Sequence, residues 1–191
     1  TYYIVTGIGT VTETDVVIPE TYKGLPVKEI DEEAFYACES LTSILIPTSI
    51  ISIGEGAFEW CSSLESIIIP DSVTTIGDDA FSRCESLRSI QLSNNLTTIS
   101  ESLFYFCTSL ESITIPESVT SIGSYAFAIC ESLTNVNIHD NVIYLGNNAF
   151  ADCVNLENLF IGNGLGEISS CAFMNCHSLT DVIIPSNILV I

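Results

Sequence analysis

Basic residues are scarce in this sequence, which has 4 Lys and Arg residues against 24 Asp and Glu residues and a net charge of −20. The last base is Arg88, so the stretch from Ser89 to Ile191 has none. Such a surface repels phosphate backbones and anionic lipids, which argues against nucleic acid and membrane partners. The acids either keep an apolar chain soluble or attract a cationic protein or calcium.

Long apolar runs and histidines are also lacking. No stretch approaches the roughly 18 to 20 apolar residues that a membrane-spanning helix needs. His139 and His177 are the only histidines, and they are 38 residues apart, so we expect no His-based catalytic pair and no cofactor. The chain begins at Thr1 with neither a methionine nor a signal peptide, which we interpret as a processed or excised piece.

What the sequence does contain is a repeat of 23 residues. Three residue types keep this interval without a slip. The cysteines are Cys38, Cys61, Cys84, Cys107, Cys130, Cys153 and Cys176, the phenylalanines are Phe35, Phe58, Phe81, Phe104, Phe127, Phe150 and Phe173, and the leucines are Leu41, Leu64, Leu87, Leu110, Leu133, Leu156 and Leu179. A period between about 20 and 50 residues is typical of stacked-repeat proteins. We predict one solenoid of about seven turns over residues 16–191, in which each turn buries its apolar side against the next.

Each repeat is predicted to contain a short parallel strand. Leu41, Ile44 and Ile46 point inward, and Pro47 ends the strand because it lacks a backbone donor. A second apolar pair, such as Ile50 and Ile53, suggests a second very short strand.

A short helical turn is predicted to follow. It is preceded by a column of residues that are accepted at helix N-caps: Asp31, Gly54, Gly77, Ser100, Gly123, Gly146 and Ser169. Acids such as Asp78 and Asp79 then suit the positive end of a helix dipole, so Asp78 to Cys84 should form one or two helical turns. The expected fold class is therefore an α/β solenoid, a curved right-handed coil with one strand and one helical turn per repeat.

The two ends depart from the repeat. Residues 1–15 contain two β-prone runs, Tyr2–Val5 and Thr10–Thr12, separated by glycines, which predicts an N-terminal β-hairpin cap. The first turn carries five extra residues within 20–26, an insertion that should form a loop. The last repeat stops at Ile191 without a polar cap, so we expect the solenoid to be truncated there and either to continue or to be covered by another element.

The seven cysteines of the column are predicted to be buried thiols. Equivalent residues in stacked turns lie about 4.8 Å apart with parallel side chains, a geometry that suits disulfides poorly. Cys171 falls outside the column, at a mostly polar position, and is either an exposed thiol or a tolerated substitution.

One repeat departs from the pattern. Ser93 replaces the proline, Ser100 the glycine and Leu103 the alanine, and three aromatic residues follow at 104–106. This indicates either local repacking, or a bend or aromatic contact site in the middle of the solenoid.

The consensus L-x-S-I-x-I-P-x-S-V-x-S-I-G-x-x-A-F-x-x-C-x-S resembles the BspA-like leucine-rich repeat family, over about residues 16–191. The resemblance implies a leucine-rich-repeat solenoid with a parallel sheet on its concave side, and a role in binding or adhesion at the surface of a cell. It implies no catalytic residues.

Strand alternation places two columns of side chains on the outside of the sheet. One column is Ser43, Ser66, Ser89, Ser112, Asn135, Asn158 and Asp181, and the other is Leu45, Ile68, Gln91, Thr114, Asn137, Phe160 and Ile183. Leu45, Ile68, Phe160 and Ile183 are apolar where solvent is expected, which reflects either simple β-propensity or an interface. We take these two columns as the candidate binding face.

The resulting hypothesis is a non-enzymatic protein-binding or adhesion module of a cell-surface or secreted protein. Its expected partner is a host or matrix protein, with a cationic one favoured by the charge. Two alternatives stay open. The chain is a spacer that carries another domain, or it is a hydrolase whose active site lies in the 20–26 insertion or outside this sequence.

Overall fold

The computed structural model describes residues 1–7 and 14–190, and these form fourteen short strands. Most of them lie in two rows that run along the molecule. Row one contains β2 (Asp15–Val17), β5 (Ser43–Leu45), β7 (Ser66–Ile68), β9 (Ser89–Gln91), β12 (Asn135–Ile138) and β14 (Asn158–Ile161). Row two contains β1 (Tyr3–Val5), β4 (Leu25–Ile30), β6 (Ser52–Ile53), β8 (Thr75–Ile76), β10 (Thr98–Ile99), β11 (Ser121–Ile122) and β13 (Tyr144–Leu145).

Where neighbouring strands of a row pair, they are parallel, and their register follows the sequence repeat. Ser66 pairs with Ser89 in row one, and Ile122 pairs with Leu145 in row two. Each pair joins residues 23 positions apart, so every coil lies on the equivalent part of the previous one. The predicted solenoid of parallel strands is confirmed, and a second short strand is present in six successive coils, from β4 to β13.

The core is a continuous column of phenylalanine rings from Phe35 to Phe173. Successive rings are close to parallel, with centroids 4.9 Å apart at the closest pair, Phe127 and Phe150, and 5.9 Å apart at the widest, Phe81 and Phe104. The rings from Phe35 to Phe150 are fully buried. No coil could bury such a ring by itself, so the stacking of coils creates the core.

The predicted helical turn is wrong, because the described residues contain no helix. The N–H groups of Gly56, Phe58 and Trp60 donate instead to carbonyl oxygens of the next coil, over 2.8 to 2.9 Å. The residues between them form tight turns, as where the Glu59 N–H donates to the Gly56 carbonyl. Helical bonds within the segment are replaced by bonds between coils, so the fold is a β-solenoid with turns rather than an α/β one.

These turns place two residues of each coil in the left-handed backbone region. The residues of the first column are Glu33, Gly56, Asp79, Ser102, Tyr125, Asn148 and Cys171, and those of the second are Ala37, Trp60, Arg83, Phe106, Ile129, Asp152 and Asn175. Most of them are not glycine, so the bonds to the neighbouring coil must offset an unfavourable backbone conformation.

The glycine column also has a different role from the predicted N-cap. A Cβ on Gly77 would lie 2.4 Å from the backbone nitrogen of Glu55 in the previous coil, closer than real atoms approach. Glycine is therefore needed here for the close approach of two backbones. Ser100 occupies the same position one coil later, and its hydroxyl donates to the Ile76 carbonyl over 2.5 Å.

The irregular coil shows local repacking, one of the two interpretations left open above. Leu103 is fully buried, and the ring spacing from Phe81 to Phe104 is the widest of the ladder. Ser93 replaces the proline at a buried position, where its hydroxyl donates to the Val73 carbonyl over 2.6 Å.

At the N-terminus, β1 joins row two by pairing in parallel with β4. Thr10–Thr12, the second strand of the predicted cap hairpin, lies outside the described residues, so that hairpin stays a prediction. The insertion at 20–26 does form a hairpin, in which β3 (Thr21–Tyr22) pairs antiparallel with β4. Its two-residue turn is Lys23-Gly24, both with positive φ, as a type I′ turn requires.

All eight cysteines are free thiols. Those from Cys61 to Cys153 are fully buried, Cys38 and Cys176 are half-buried, and Cys171 is exposed. The column therefore forms the predicted ladder of thiols, and Cys171 lies at the surface.

Candidate binding face

Row one presents the two predicted columns to solvent. Along β5, Ser43 and Leu45 are exposed and Ile44 between them is buried, and β7 and β9 repeat this alternation. All twelve candidate residues are exposed: Leu45, Ile68, Gln91, Thr114, Asn137, Phe160, Ile183, Ser43, Ser66, Asn135, Asn158 and Asp181. These exposed side chains make up the candidate binding face.

The apolar side chains of this face form two separate groups. Leu45 and Ile68, at the N-terminal end, are 60% and 62% exposed. Phe160 and Ile183, at the other end, are 56% and 85% exposed. The three coils between them carry the polar residues Gln91, Thr114 and Asn137, so the face has two apolar ends and a polar middle.

Sequence reasoning left out the first coil of the face. Val17 pairs with Leu45 and is 68% exposed, which extends the first apolar group to three neighbouring strands. Asp15 likewise precedes Ser43 in the polar column. The match between Val16–Pro19 and Ile44–Pro47 was the signal that could have found both residues.

Asp15 is held by hydroxyl groups. The Ser43 hydroxyl donates to its Oδ1 over 2.5 Å, and the Thr14 hydroxyl donates to its Oδ2 over 3.2 Å. The bond from Ser43, followed by the one from Thr14, lowers the pKa of Asp15, so this end of the face carries a negative charge at neutral pH.

Acids lie along both edges of the face. Those that precede the row-one strands are Glu65, Glu111 and Glu157, and those that follow them are Glu20, Asp71, Glu117 and Asp140. One base interrupts them, since the Arg88 guanidinium lies 3.3 Å from the Glu111 carboxylate. Both partners of this ion pair are exposed, so it stabilises the fold little.

Strands β5 and β7 of row one do not pair, and a wider interruption of the pairing lies in the middle of the row. Around Ser112 the row has only a single bridge, to Asn135, in place of a strand, and Ile113 is half-buried where Ile67 is buried. A depression of about 310 Å³ lies on the C-terminal side of this gap. Its lining includes five candidate residues, namely Asn135, Asn137, Asn158, Phe160 and Asp181. We call it the amide pocket.

A second depression, of about 300 Å³, lies on the N-terminal side of the gap and includes Gln91 and Thr114 in its lining. Seven of the twelve candidate residues therefore line one of two depressions of the face. Ser43, Leu45, Ser66 and Ile68 lie on its N-terminal part.

The turns carry a cluster of their own around Arg83. Its guanidinium lies 4.5 Å from the ring centre of Trp60 and 4.9 Å from that of Phe106, which occupy the same position in the coils on either side. Burial raises the pKa of Glu59 and that of Asp79. At Asp79 a hydrogen bond from Ser82 opposes this shift. The mid-solenoid aromatic residues thus already have an intramolecular cation as partner.

The ring of His139 is buried and bonded to backbone groups. The Nε2–H of His139 donates to the Pro116 carbonyl over 2.9 Å, and its Nδ1 accepts the N–H of Asn141 over 3.3 Å. These contacts hold the buried ring in the wall of the coil. Within residues 1–7 and 14–190, no three His, Cys, Asp or Glu side chains converge as a metal site requires. The same part of the chain has no helix with the length and apolar character to cross a membrane.

Comparison with solved structures finds leucine-rich repeat proteins of bacteria. A leucine-rich repeat protein of T. pallidum is 36% identical with a TM-score of 0.83, over 90% of this chain and 80% of its own. One from Bacteroides ovatus is 25% identical with a TM-score of 0.61, over 93% of this chain and 74% of its own. No curated protein matches the chain.

The family model described as the BspA type leucine-rich repeat region matches residues 28–156 and 98–191, in six copies. These two ranges cover most of the solenoid, including every coil of the candidate face after the first. The consensus of the repeat, the stacked parallel strands and the matching structures agree, and the chain belongs to the BspA-type leucine-rich repeat family.

Proposed function

We propose that the chain is a non-enzymatic protein-binding module of a cell-surface or secreted protein, and that it binds through the row-one face. The observation that carries this proposal is the group Val17, Leu45 and Ile68. These three apolar side chains are exposed on neighbouring coils, and contiguous exposed apolar groups mark interaction surfaces. The fold does not need them there, because the equivalent positions of three later coils are polar.

The charge around this group indicates the chemistry of the partner. Asp15 and Glu20 lie beside Val17, and Glu65 and Asp71 flank the coil of Ile68. An apolar strip between two acidic edges fits a protein segment with apolar side chains flanked by Lys or Arg. Complementary charge of this kind raises the rate of encounter and selects against acidic partners.

Family membership supports the remaining parts of the proposal. The matching family and structures are leucine-rich repeat proteins, which favours binding over catalysis. The 20–26 insertion forms a hairpin turn, in which the Lys23 ammonium lies 5.1 Å from the Tyr22 ring centre. This arrangement does not favour an active site in the insertion. The resemblance to repeats of bacterial surface proteins supports a place outside the cell.

The test is adhesion of purified chain to a surface coated with solubilised extracellular matrix. The double variant Leu45→Ser/Ile68→Ser removes two of the three apolar groups from the strip. We expect its binding to fall about tenfold or more, because interface energy concentrates in a few central residues. Binding by the unaltered chain should also weaken as salt is raised, since the acids along the edges are exposed.

Ile143→Ser is the matched control. Ile143 is 67% exposed, as much as Ile68, but it lies between the two rows rather than on the row-one face. This variant should bind as the unaltered chain does. Equal binding by a folded Leu45→Ser/Ile68→Ser variant, or equal loss in Ile143→Ser, would rule out the row-one face as the binding surface.

A further inference from the structure

The amide pocket differs from the rest of the face in its chemistry. The outward polar column is serine in four successive coils, Ser43 to Ser112, and then changes to Asn135, Asn158 and Asp181. These three residues are consecutive along the column, and all three line the pocket. Because they point to solvent, the stacking of coils does not require the change.

The polar groups of the pocket are only partly used within the protein. The Asn158 Nδ2 donates to the Asn135 Oδ1 over 2.8 Å, and the Asn135 Nδ2 donates to the Thr134 hydroxyl over 2.7 Å. These bonds fix two amides side by side and leave the Asn158 carbonyl oxygen available as an acceptor. Among the described residues, none hydrogen-bonds to the side chain of Asn137, which retains both a donor and an acceptor.

An aromatic ring completes the pocket. Phe160 pairs with Asn137 across β12 and β14, so its ring stands beside a free amide. It follows Asn158 by two residues, so both side chains project from the same side of β14. The ring is more than half exposed and thus offers an apolar platform next to three amides and one carboxylate.

We propose that the amide pocket binds a neutral pyranose residue of a glycan. The C–H groups on one side of a sugar ring can lie against the Phe160 ring. The hydroxyls of the sugar accept hydrogen bonds from the amide N–H groups and donate to the amide oxygens. The Asp181 carboxylate accepts from two further hydroxyls. A volume of about 310 Å³ suits one or two sugar rings at the low end of the range for small-molecule sites.

Charge and the number of carboxylates argue against three other classes of ligand. Nucleotides and acidic sugars would meet Asp181 on a half of the chain that has no Lys or Arg. The pocket holds one carboxylate, too few for a calcium site. This inference rests on the proposed function only in that both take row one as the binding face. The amide pocket lies on other coils than Leu45 and Ile68.

The test is ligand-observed NMR with a panel of methyl glycosides of neutral hexoses and N-acetylhexosamines, added to the purified chain. Two variants replace a pocket residue with one that another coil carries at the same position. They are Asn158→Ser, as in Ser66, and Phe160→Thr, as in Thr114, so both should fold. At least one glycoside should show saturation transfer, and each variant should weaken its binding about tenfold or more.

Two outcomes would overturn the proposal: no glycoside of the panel binds, or binding is unchanged in both folded variants. Leu45→Ser/Ile68→Ser separates this proposal from the protein-binding one. It should bind the glycoside normally while losing adhesion to matrix, so a failure of either proposal is visible by itself.

Discussion

The sulfhydryl of Cys107 donates a hydrogen bond over 3.1 Å to the carbonyl oxygen of Phe81 in the preceding coil. That carbonyl also accepts the N–H of Cys84, in its own coil, over 3.3 Å. The same bond recurs along the column, from Cys61, Cys84, Cys130, Cys153 and Cys176 to Phe35, Phe58, Phe104, Phe127 and Phe150. The thiols therefore do more than fill space, since each bonds a buried carbonyl that the turn leaves with a second free lone pair.

The buried thiols should make the protein sensitive to alkali. Burial raises the pKa of Cys61 to about 12 and raises those of Cys84 and Cys107 well above the ordinary value. An unfolded thiol ionises near a pKa of about 8.5, so the stabilisation is fully present below that pH and is lost as pH rises toward the folded pKa. Each thiol should lower the free energy of unfolding by about 1.4 kcal/mol per pH unit in that window. Urea unfolding at pH 7, 9 and 10 measures this loss.

The double variant Cys84→Ala/Cys107→Ala provides the control for that measurement. It should be less stable at pH 7 but lose less stability between pH 8.5 and 10. A free energy of unfolding that falls equally steeply in both proteins would show that other groups cause the sensitivity.

A single thiol should react rapidly in the folded protein. Cys171 is exposed, whereas burial raises the pKa of Cys38 and raises that of Cys176 to about 11. Because the thiolate is the reactive form, Ellman's reagent should modify Cys171 first and the column only on unfolding. Cys171→Ser should abolish the fast phase. Two or more thiols reacting at one rate in the native protein would contradict the buried ladder.

Gly77 tests the close approach between coils. Gly77→Ala places a Cβ against the Glu55 backbone and should lower the free energy of unfolding by about 1 to 3 kcal/mol, as overpacking does. Gly77→Ser should cost less, because its hydroxyl can bond the Ile53 carbonyl as Ser100 bonds that of Ile76. Thermal unfolding of the two variants gives the order, and a serine variant less stable than the alanine one would reject this explanation.

Ile129 occupies the left-handed region with φ 62°, although it is β-branched. That conformation costs an ordinary residue about 1 to 2 kcal/mol, and asparagine tolerates it better. Ile129→Asn should therefore raise the free energy of unfolding by up to about 1 kcal/mol, with some of the gain offset by lost apolar contact. Ile143→Asn, the same change at an exposed residue outside that region, should give no gain in urea unfolding.

The phenylalanine ladder should dominate stability. Phe104→Ala removes a fully buried ring between Phe81 and Phe127 and should lower the free energy of unfolding by about 3 to 5 kcal/mol. Phe160→Ala removes an exposed ring and should change it by less than about 0.5 kcal/mol. Equal losses in urea unfolding would mean that the column is not the core.

The repeat in the sequence was enough to predict the solenoid, its inward columns and the exposure of the twelve candidate residues. A strict period leaves one way to bury Phe81 and Cys84, which is to place each against its equivalent in the next coil. The alternation around Ile44 then decides which neighbours face solvent. The prediction of a helical turn was wrong for a reason that the local sequence pattern does not contain. The segment from Asp78 to Cys84 has acids and an acceptable N-cap, but the N–H groups of Asp79, Phe81 and Arg83 donate to carbonyl oxygens in the next coil.

The amino-acid sequence by itself determined the periodic features of the protein. These are the number of coils, the columns and the side of the sheet on which each side chain lies. What only the tertiary structure decided lies between coils. The need for glycine at Gly77, the thiol bond of Cys107 and the pairing of Phe160 with Asn137 all depend on the distance and register of two coils in contact. Those quantities belong to residues of neighbouring coils, between 22 and 26 positions apart, and no single repeat contains them.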